Sequence, residues 1–242
     1  MTHVPAPDRY TAMSSAGVAM DEGQVATLLE AVDRSSGRFL LGITGPPGAG
    51  KSTIAALIEA AANEQRRGDF AVVAPMDGFH LSNEELAERG LLGVKGAPET
   101  FDVNGFVQAV ERIRADPTMT IPWPGFDRSL EQTVPGAIAI GPSAKLVVVE
   151  GNYLLLERPG WRDLRRFFDE IWYVDAPLPV LRARLLERAR AGGLSEAQAT
   201  AHVDGSDLEN ARLVATTKET ADRQLAGAAP TAADMESNKD LR

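Results

Sequence analysis

A glycine-rich segment between an apolar run and a helical pattern constrains the fold of this chain more than any other feature. Residues 45–52 read GPPGAGKS, which matches the eight-position pattern of a phosphate-binding loop. RFLLGIT before it is typical of a strand buried on both faces, and STIAALIEAAANEQRR after it is typical of a helix. A strand, a loop of this kind and a helix in that order predict a parallel α/β sheet with a phosphate site at its edge.

The rest of the chain continues the alternation of apolar strands and helices. Strand patterns are seen at 69–77, 145–150 and 170–177, and helical patterns at 21–35, 82–90, 102–116, 178–193 and 195–217. We therefore predict one α/β domain over residues 21–227, a doubly wound parallel sheet with helices on both faces. Residues 1–20 are predicted to be a flexible leader and residues 228–242 a flexible tail. The proline- and glycine-rich residues 118–144 predict short strands and turns.

Composition excludes several classes of protein. The formal charge of -9, from 25 basic and 34 acidic residues, argues against a sequence-independent grip on nucleic acid, which needs a basic surface. The chain has no cysteine, so disulfides and thiolate metal sites are excluded. No run approaches the roughly 20 apolar residues of a membrane span, and the first residues lack the pattern of a signal peptide. We expect a cytoplasmic protein that binds neither nucleic acid nor a membrane.

The glycine loop predicts how a nucleotide would be bound. Glycines allow backbone N–H groups to surround phosphate oxygens, Lys51 would reach the β and γ phosphates, and the Ser52 hydroxyl would hold Mg²⁺. The predicted nucleotide-binding residues are Gly45, Pro46, Pro47, Gly48, Ala49, Gly50, Lys51, Ser52 and Thr53. Glu150 ends the apolar run KLVVVE and is predicted to hold or orient the metal, the alternative being an ordinary acid at a strand end.

A second strand-end acid points to the kind of chemistry. Asp77 follows the apolar run in VVAPMDGFH, where a carboxylate could accept the proton of a hydroxyl that attacks the γ-phosphate. The alternative is a turn aspartate before Gly78. A GTP-binding switch protein would carry N-K-x-D after an apolar strand. The near match NKDL, at 238–241, has its aspartate one place early, and the L-S-G-G-Q signature of transporter ATPases is absent.

Residues 76–102, MDGFHLSNEELAERGLLGVKGAPETFD, with the glycine loop and LVVVEGNYLLL at 146–156, resemble the P-loop kinase family of type I pantothenate kinases, uridine kinases and phosphoribulokinases. The resemblance spans most of residues 39–217 and is closest to the pantothenate branch in DGF, ERGL and KGAPETFD. It implies ATP and Mg²⁺ as cofactors, Asp77 as the general base and a lid, at about residues 180–195, that supplies arginines to the transferring phosphate. Arg184 and Arg188 are four residues apart and so share a helix face.

The acceptor region departs from the family. The Tyr-Ser-His of the pantothenate and ribulose branches is replaced within PWPGFDR, so that Phe126 and Arg128 stand where those branches have tyrosine and histidine. This puts pantothenate in doubt, and uridine is no better supported. The predicted substrate-binding residues are His80, Lys95, Trp123, Phe126 and Arg128. Alternatives stay open for four of them: a capping or packing role for His80, a place in the core for Trp123 and Phe126, and a surface pair with Asp127 for Arg128.

The sequence thus predicts an ATP- and Mg²⁺-dependent kinase that phosphorylates a hydroxyl of a sugar, a nucleoside or a pantothenate-like alcohol. Two other classes stay open. A nucleotide hydrolase that acts as a regulator would need no metabolite acceptor, and a binding module would keep the fold without turnover. Related kinases are often dimers, so the resemblance also implies a homodimer.

Overall fold

The computed structural model describes residues 21–128 and 130–227. The predicted leader and tail, together with the NKDL near match, lie outside these residues. No helix in the described part of the chain combines the length and the apolar character that a membrane crossing requires.

The described residues form seven strands and seven α-helices. The strands are β1 Phe39–Thr44, β2 Ala71–Pro75, β3 Ile121–Asp127, β4 Gln132–Ile140, β5 Leu146–Glu150, β6 Glu170–Asp175 and β7 Arg223–Ala226. The helices are α1 Glu22–Arg34, α2 Lys51–Arg66, α3 Asn83–Glu88, α4 Val103–Ala115, α5 Leu178–Ala191, α6 Glu196–His202 and α7 Leu208–Ala215. Most of the helices lie where the sequence predicts them.

Five strands form a parallel sheet in the order β2-β5-β1-β6-β7. Side chains of β1 alternate between its two faces, so that Leu41 and Ile43 pack in a core with α1 and α2, while Leu40 packs in a core with α4. This confirms the predicted doubly wound sheet. In the register, Glu150 lies opposite both Ile43 and Pro75, so the carboxyl ends of β1, β2 and β5 meet at one edge.

Two segments differ from the sequence prediction. Residues 118–144 contain a long antiparallel hairpin, β3 with β4, rather than only short strands and turns, and its register shifts between Trp123 and Gly125. A bulge there accommodates Pro124, which cannot donate to a ladder. The helix predicted at 195–217 is divided into α6 and α7 by a π-helical turn, Val203–Asp207, and the last strand, β7, begins only after it.

A buried arginine joins the hairpin to the sheet. Arg38, which is 2% exposed and precedes β1, donates to the carbonyl oxygens of Asp116 at 3.0 Å, Met119 at 3.0 Å and Gly141 at 2.8 Å. These carbonyls belong to the end of α4, the turn before β3 and the end of β4. The hydrogen bonds are partly buried, so removing their shared donor costs free energy wherever water cannot take its place.

We expect Arg38→Met to lower the free energy of unfolding by about 2–3 kcal/mol because these carbonyls lose their shared donor. Urea denaturation measures the change. Arg34→Met is the control, since the Arg34 side chain is 70% exposed and makes only a surface ion pair. Equal stabilities of the two variants would contradict a structural role for Arg38.

Candidate active site

The glycine loop connects β1 to α2 with a backbone that only glycine tolerates. Gly45, Gly48 and Gly50 have φ angles of 145°, 82° and 97°, all in the region that L-residues rarely adopt. A Cβ atom on Gly45 would lie 2.3 Å from the carbonyl oxygen of Val174 in β6, so the loop is packed tightly against the neighbouring strand. Pro46, Pro47 and Ala49 are buried within the loop, and Thr53 is exposed in the first turn of α2.

Lys51 begins α2 and is buried inside the loop. Its side chain donates from Nζ to the carbonyl oxygen of Pro46 at 3.0 Å, and the residue is only 8% exposed. Burial lowers the pKa of Lys51 to about 8, while the nearby carboxylates of Glu150 and Asp77 act in the opposite direction. The ammonium group therefore lies within the electrostatic reach of both strand-end acids.

Ser52 and Glu150 form the second part of the site. The Ser52 hydroxyl donates from Oγ to Oε1 of Glu150 at 3.1 Å. Burial raises the pKa of Glu150, whereas the nearby positive charge of Lys51 lowers it to a smaller extent. Mg²⁺ prefers oxygen ligands and is commonly held by one or two protein groups together with substrate phosphates, so this hydroxyl and carboxylate fit the ion. No cluster of three or more metal-ligating side chains exists among the described residues, so phosphates or water would have to supply the other ligands.

Asp77 lies at the same edge, in the short 3₁₀ helix Met76–Phe79 that follows β2. Its Oδ2 accepts a 2.7 Å hydrogen bond from Nη2 of Arg128, across 51 residues of sequence. Arg128 is therefore paired with the predicted base, and this pair differs from the surface pair with Asp127 that the sequence left open. A Cβ atom on Gly78 would lie 2.2 Å from the carbonyl oxygen of Pro124, so β3 holds the turn of Asp77 in place.

His80 closes this turn. Its Nδ1 lies 2.8 Å from the carbonyl oxygen of Asp77, and because a carbonyl only accepts, Nδ1 carries the proton and Nε2 is left as an acceptor in the neutral ring. Burial lowers the pKa of His80. Its ring centroid lies 4.0 Å from that of Phe101 and 5.0 Å from that of Phe126. His80 thus both packs and caps, beside the predicted base.

Lys95 ties the loop that contains it to the hairpin. It donates from Nζ to Oδ1 of Asn83 at 2.8 Å and to Oε2 of Glu131 at 2.7 Å, and it lies 5.4 Å from the centroid of the Phe126 ring. The structure brings Lys95, Phe126, Arg128 and His80 together around Asp77. Their contacts with an acceptor remain predictions.

Trp123 is the exception among the predicted substrate-binding residues. The side chain is fully buried, packs against Phe79 and Phe106, and donates from Nε1 to the carbonyl oxygen of Pro75 at 2.9 Å. Because no part of it is exposed to a ligand, the prediction that Trp123 walls the acceptor pocket is corrected: the residue belongs to the core and joins β3 to β2.

Helix α5 brings arginines to the phosphate loop. Arg184 donates from Nη1 to the carbonyl oxygen of Gly48 at 3.3 Å. Arg188 is exposed and close enough to Lys51 and to the carboxylate of Asp207 to influence their pKa values. Two other arginines of α5 form ion pairs away from the loop, Arg182 with Asp204 and Arg190 with Glu196. The two arginines predicted from the sequence are thus the ones that lie beside the loop.

A cleft next to Asp77 was not predicted from the sequence. It has a volume of about 720 Å³ and lies between the residues after β2, helix α3 and the β3–β4 hairpin. Glu84, Glu85, Asp102 and Glu131 contribute carboxylates to its wall. They come from three separate segments, and the sequence alone gives no signal that these segments share a surface.

Comparisons with known proteins agree with this geometry. No family model matches the chain. The sequence is 34% identical over 183 residues to a Schizosaccharomyces pombe protein named "Putative uridine kinase", with coverage of 73% of this chain and 78% of the relative. It is 38% identical over 175 residues to the uncharacterized protein YggC of Escherichia coli, with coverage of 71% and 72%.

Among solved structures, the chain resembles the crystal structure of a "putative fructose transport system kinase" from Silicibacter sp. TM1040. The TM-score is 0.75 at 39% sequence identity, and the match covers 85% of this chain and 99% of the other. The match therefore covers most of this chain and almost all of the other.

Proposed function

The chain belongs to the P-loop kinase family of the type I pantothenate kinases, uridine kinases and phosphoribulokinases, and from this membership we propose that it transfers the γ-phosphate of ATP to a hydroxyl group of a small metabolite. The observation that carries the proposal is the meeting of Lys51, the Ser52–Glu150 pair and Asp77 at one edge of the sheet. Phosphoryl transfer needs a phosphate anchor, oxygen ligands for a metal and a group that receives a proton. This edge supplies all three.

The binding groups have separate roles in this proposal. The loop amides and Lys51 hold the β and γ phosphates, while Arg184 and Arg188 stabilise the charge on the transferring group. Ser52 and Glu150 hold Mg²⁺, which would neutralise charge on the phosphate oxygens. A lid formed by the residues around α5 would exclude water, which otherwise competes as an acceptor.

Asp77 receives the proton in the chemical step. The acceptor oxygen forms a bond to the γ-phosphorus as the bond from the γ-phosphorus to the β–γ bridging oxygen breaks, and the hydroxyl proton passes to the Asp77 carboxylate. Because Arg128 binds Oδ2 of this carboxylate, Oδ1 is the oxygen left to face the hydroxyl. Arg128 thereby orients the base.

The experiment that tests this function is ADP release with ATP and Mg²⁺ across sugars, nucleosides and pantothenate, with mass spectrometry of the products. The kinase proposal expects ADP release that depends on one class of acceptor and yields a phosphorylated product. ATP hydrolysis that ignores every alcohol would favour the regulatory hydrolase instead. ATP binding without turnover would favour a binding module.

The pKa of Lys51 predicts how ATP binding depends on pH. Lys51 is charged below its pKa of about 8 and loses its proton above it, so ATP binding at higher pH must be accompanied by proton uptake. We expect Kd for ATP to rise by up to about tenfold per pH unit above pH 8. Calorimetric titration measures this. The arginine of Lys51→Arg stays charged in this pH range, so the variant should bind ATP with a Kd that does not depend on pH. If the Kd of the variant rose with pH as steeply as that of the unaltered protein, the pH dependence would belong to another group.

The metal role of Glu150 is tested by Glu150→Gln. Glutamine can still accept the Ser52 hydrogen bond but removes the negative charge that attracts Mg²⁺. We expect the Mg²⁺ concentration for half-maximal ADP release to rise about tenfold or more. Thermal stability should change little, because burial already disfavours the charged form of Glu150 and the variant no longer carries that charge. A Mg²⁺ dependence identical to that of the unaltered protein would leave Glu150 as an ordinary strand-end acid.

A further inference from the structure

The cleft beside Asp77 is the space that an acceptor would enter. Gly78 and His80, which follow Asp77 closely in the chain, form part of the wall of this cleft. Thr133 lines the cleft on the hairpin side and donates a hydrogen bond from Oγ1 to the carbonyl oxygen of His80 at 3.3 Å. Its volume of about 720 Å³ lies within the range of small-molecule sites. A compound held in this cleft would lie next to the turn that carries the base.

The wall of this cleft carries an excess of negative charge. Four acidic residues, Glu84, Glu85, Asp102 and Glu131, line it against one basic residue, Arg89, and Lys95 offsets the charge of Glu131. Burial lowers the pKa of His80, so its ring adds no positive charge near neutral pH. Clefts lined by one sign of charge focus the field and repel ligands of the same sign.

Two cations of this region are already paired within the protein. Arg128 binds Oδ2 of Asp77 at 2.7 Å, and Lys95 binds Oε2 of Glu131 at 2.7 Å. An anionic group that took Arg128 or Lys95 as its partner would have to compete with the carboxylate that each cation already binds, which leaves Arg89 as the cation of the cleft wall that such a group could pair with. Uncharged hydroxyls face no such cost, because they donate hydrogen bonds to carboxylates.

From this distribution of charge we propose that the acceptor is an uncharged polyhydroxyl compound, a free sugar or a nucleoside, and that carboxylates and phosphate esters are rejected. The proposal rests on the kinase function proposed above. It excludes pantothenate from the acceptors that the sequence left open. The carboxylates of the wall would serve as hydrogen-bond acceptors for the hydroxyls that do not react.

Matched pairs of acceptors test the proposal, each pair sharing its hydroxyl groups but differing in charge. Suitable pairs are pantothenate with pantothenamide, gluconate with gluconamide, and ribose 5-phosphate with 5-O-methylribose. For the pair that is turned over, we expect kcat/KM for the neutral member to be about tenfold higher or more. The preference should shrink as ionic strength rises from about 0.01 M to about 1 M, since the screening length falls from about 30 Å to about 3 Å.

Variants of α3 show whether the cleft charge causes the preference. We expect Glu84→Gln to reduce the neutral-to-anionic ratio of kcat/KM by about threefold. Glu88→Gln makes the same change in charge on the same helix but outside the cleft wall, and the ratio should stay as it is. Equal effects of the two variants would contradict the proposal, because they would show a response to net charge alone.

A preference for the anionic members would overturn the proposal and leave the kinase function intact. If Arg89 were the anchor of an anionic acceptor, Arg89→Gln would abolish that preference and identify the anchor. ATP turnover that ignores both members of every pair, or no turnover at all, would overturn the kinase function together with this inference.

Discussion

Asp77→Asn is expected to lower kcat for phosphoryl transfer by about 10²- to 10⁴-fold. Asparagine has nearly the same shape as aspartate, and its amide oxygen can still accept the hydrogen bond from Arg128. It has no carboxylate to receive the hydroxyl proton. Because Asp77 lies after β2 rather than in the glycine loop, we expect the Kd for ATP to change by less than about threefold. ADP release and calorimetric titration with a nonhydrolysable ATP analogue measure the two quantities.

The matched control for this change is Asp69→Asn. Asp69 is exposed and precedes β2, whereas Asp77 follows β2 at the carboxyl edge of the sheet, so the same chemical change is made at opposite ends of one strand. The control should keep the kcat of the unaltered protein. If Asp77→Asn also kept it, Asp77 would be a turn residue before Gly78, and the proton would have another acceptor.

Lys51→Met has the second large expected effect, a fall of about 10²- to 10³-fold in kcat/KM for ATP. The substitution keeps an unbranched side chain in the loop but removes the charge that lies near Glu150 and Asp77. It should not destabilise the fold. Burial lowers the pKa of Lys51, which means that the folded protein disfavours the charged side chain relative to the unfolded chain.

Activity and stability are therefore expected to change in different directions in Lys51→Met. Thermal unfolding should give a Tm equal to or above that of the unaltered protein, while ADP release nearly stops. Lys145→Met is the control, since Lys145 is exposed just before β5. A fall in Tm that accounts for the lost activity would contradict the role of Lys51 as a phosphate anchor.

Local patterns were enough to predict the sheet and the residues at its edge. The glycine loop and Asp77 each follow a strand, and Glu150 is the last residue of one. The carboxyl ends of parallel strands meet at one edge of the sheet, regardless of the loops that connect the strands. The placement of Lys51 near both acids follows from that rule. Their roles in chemistry stay predictions until they are measured.

Contacts between distant segments could not be predicted in the same way. Prolines obscure the period-two pattern of β3, so the length of the hairpin was underestimated. The partner of Trp123 is a backbone carbonyl of β2, and the partner of Arg128 is 51 residues away. Residue types alone do not reveal that these segments touch, and this is why the sequence predicts Trp123 in the pocket and does not predict the pair of Arg128 with Asp77.

The most direct test of the central claim is to follow the label of γ-labelled ATP in the unaltered protein and in Asp77→Asn, with and without neutral acceptors. The kinase function predicts that the label moves to an organic phosphate only when an acceptor is present, and that this transfer nearly disappears in the variant. Release of the label as inorganic phosphate, at one rate in both proteins and whether or not an acceptor is added, would contradict it.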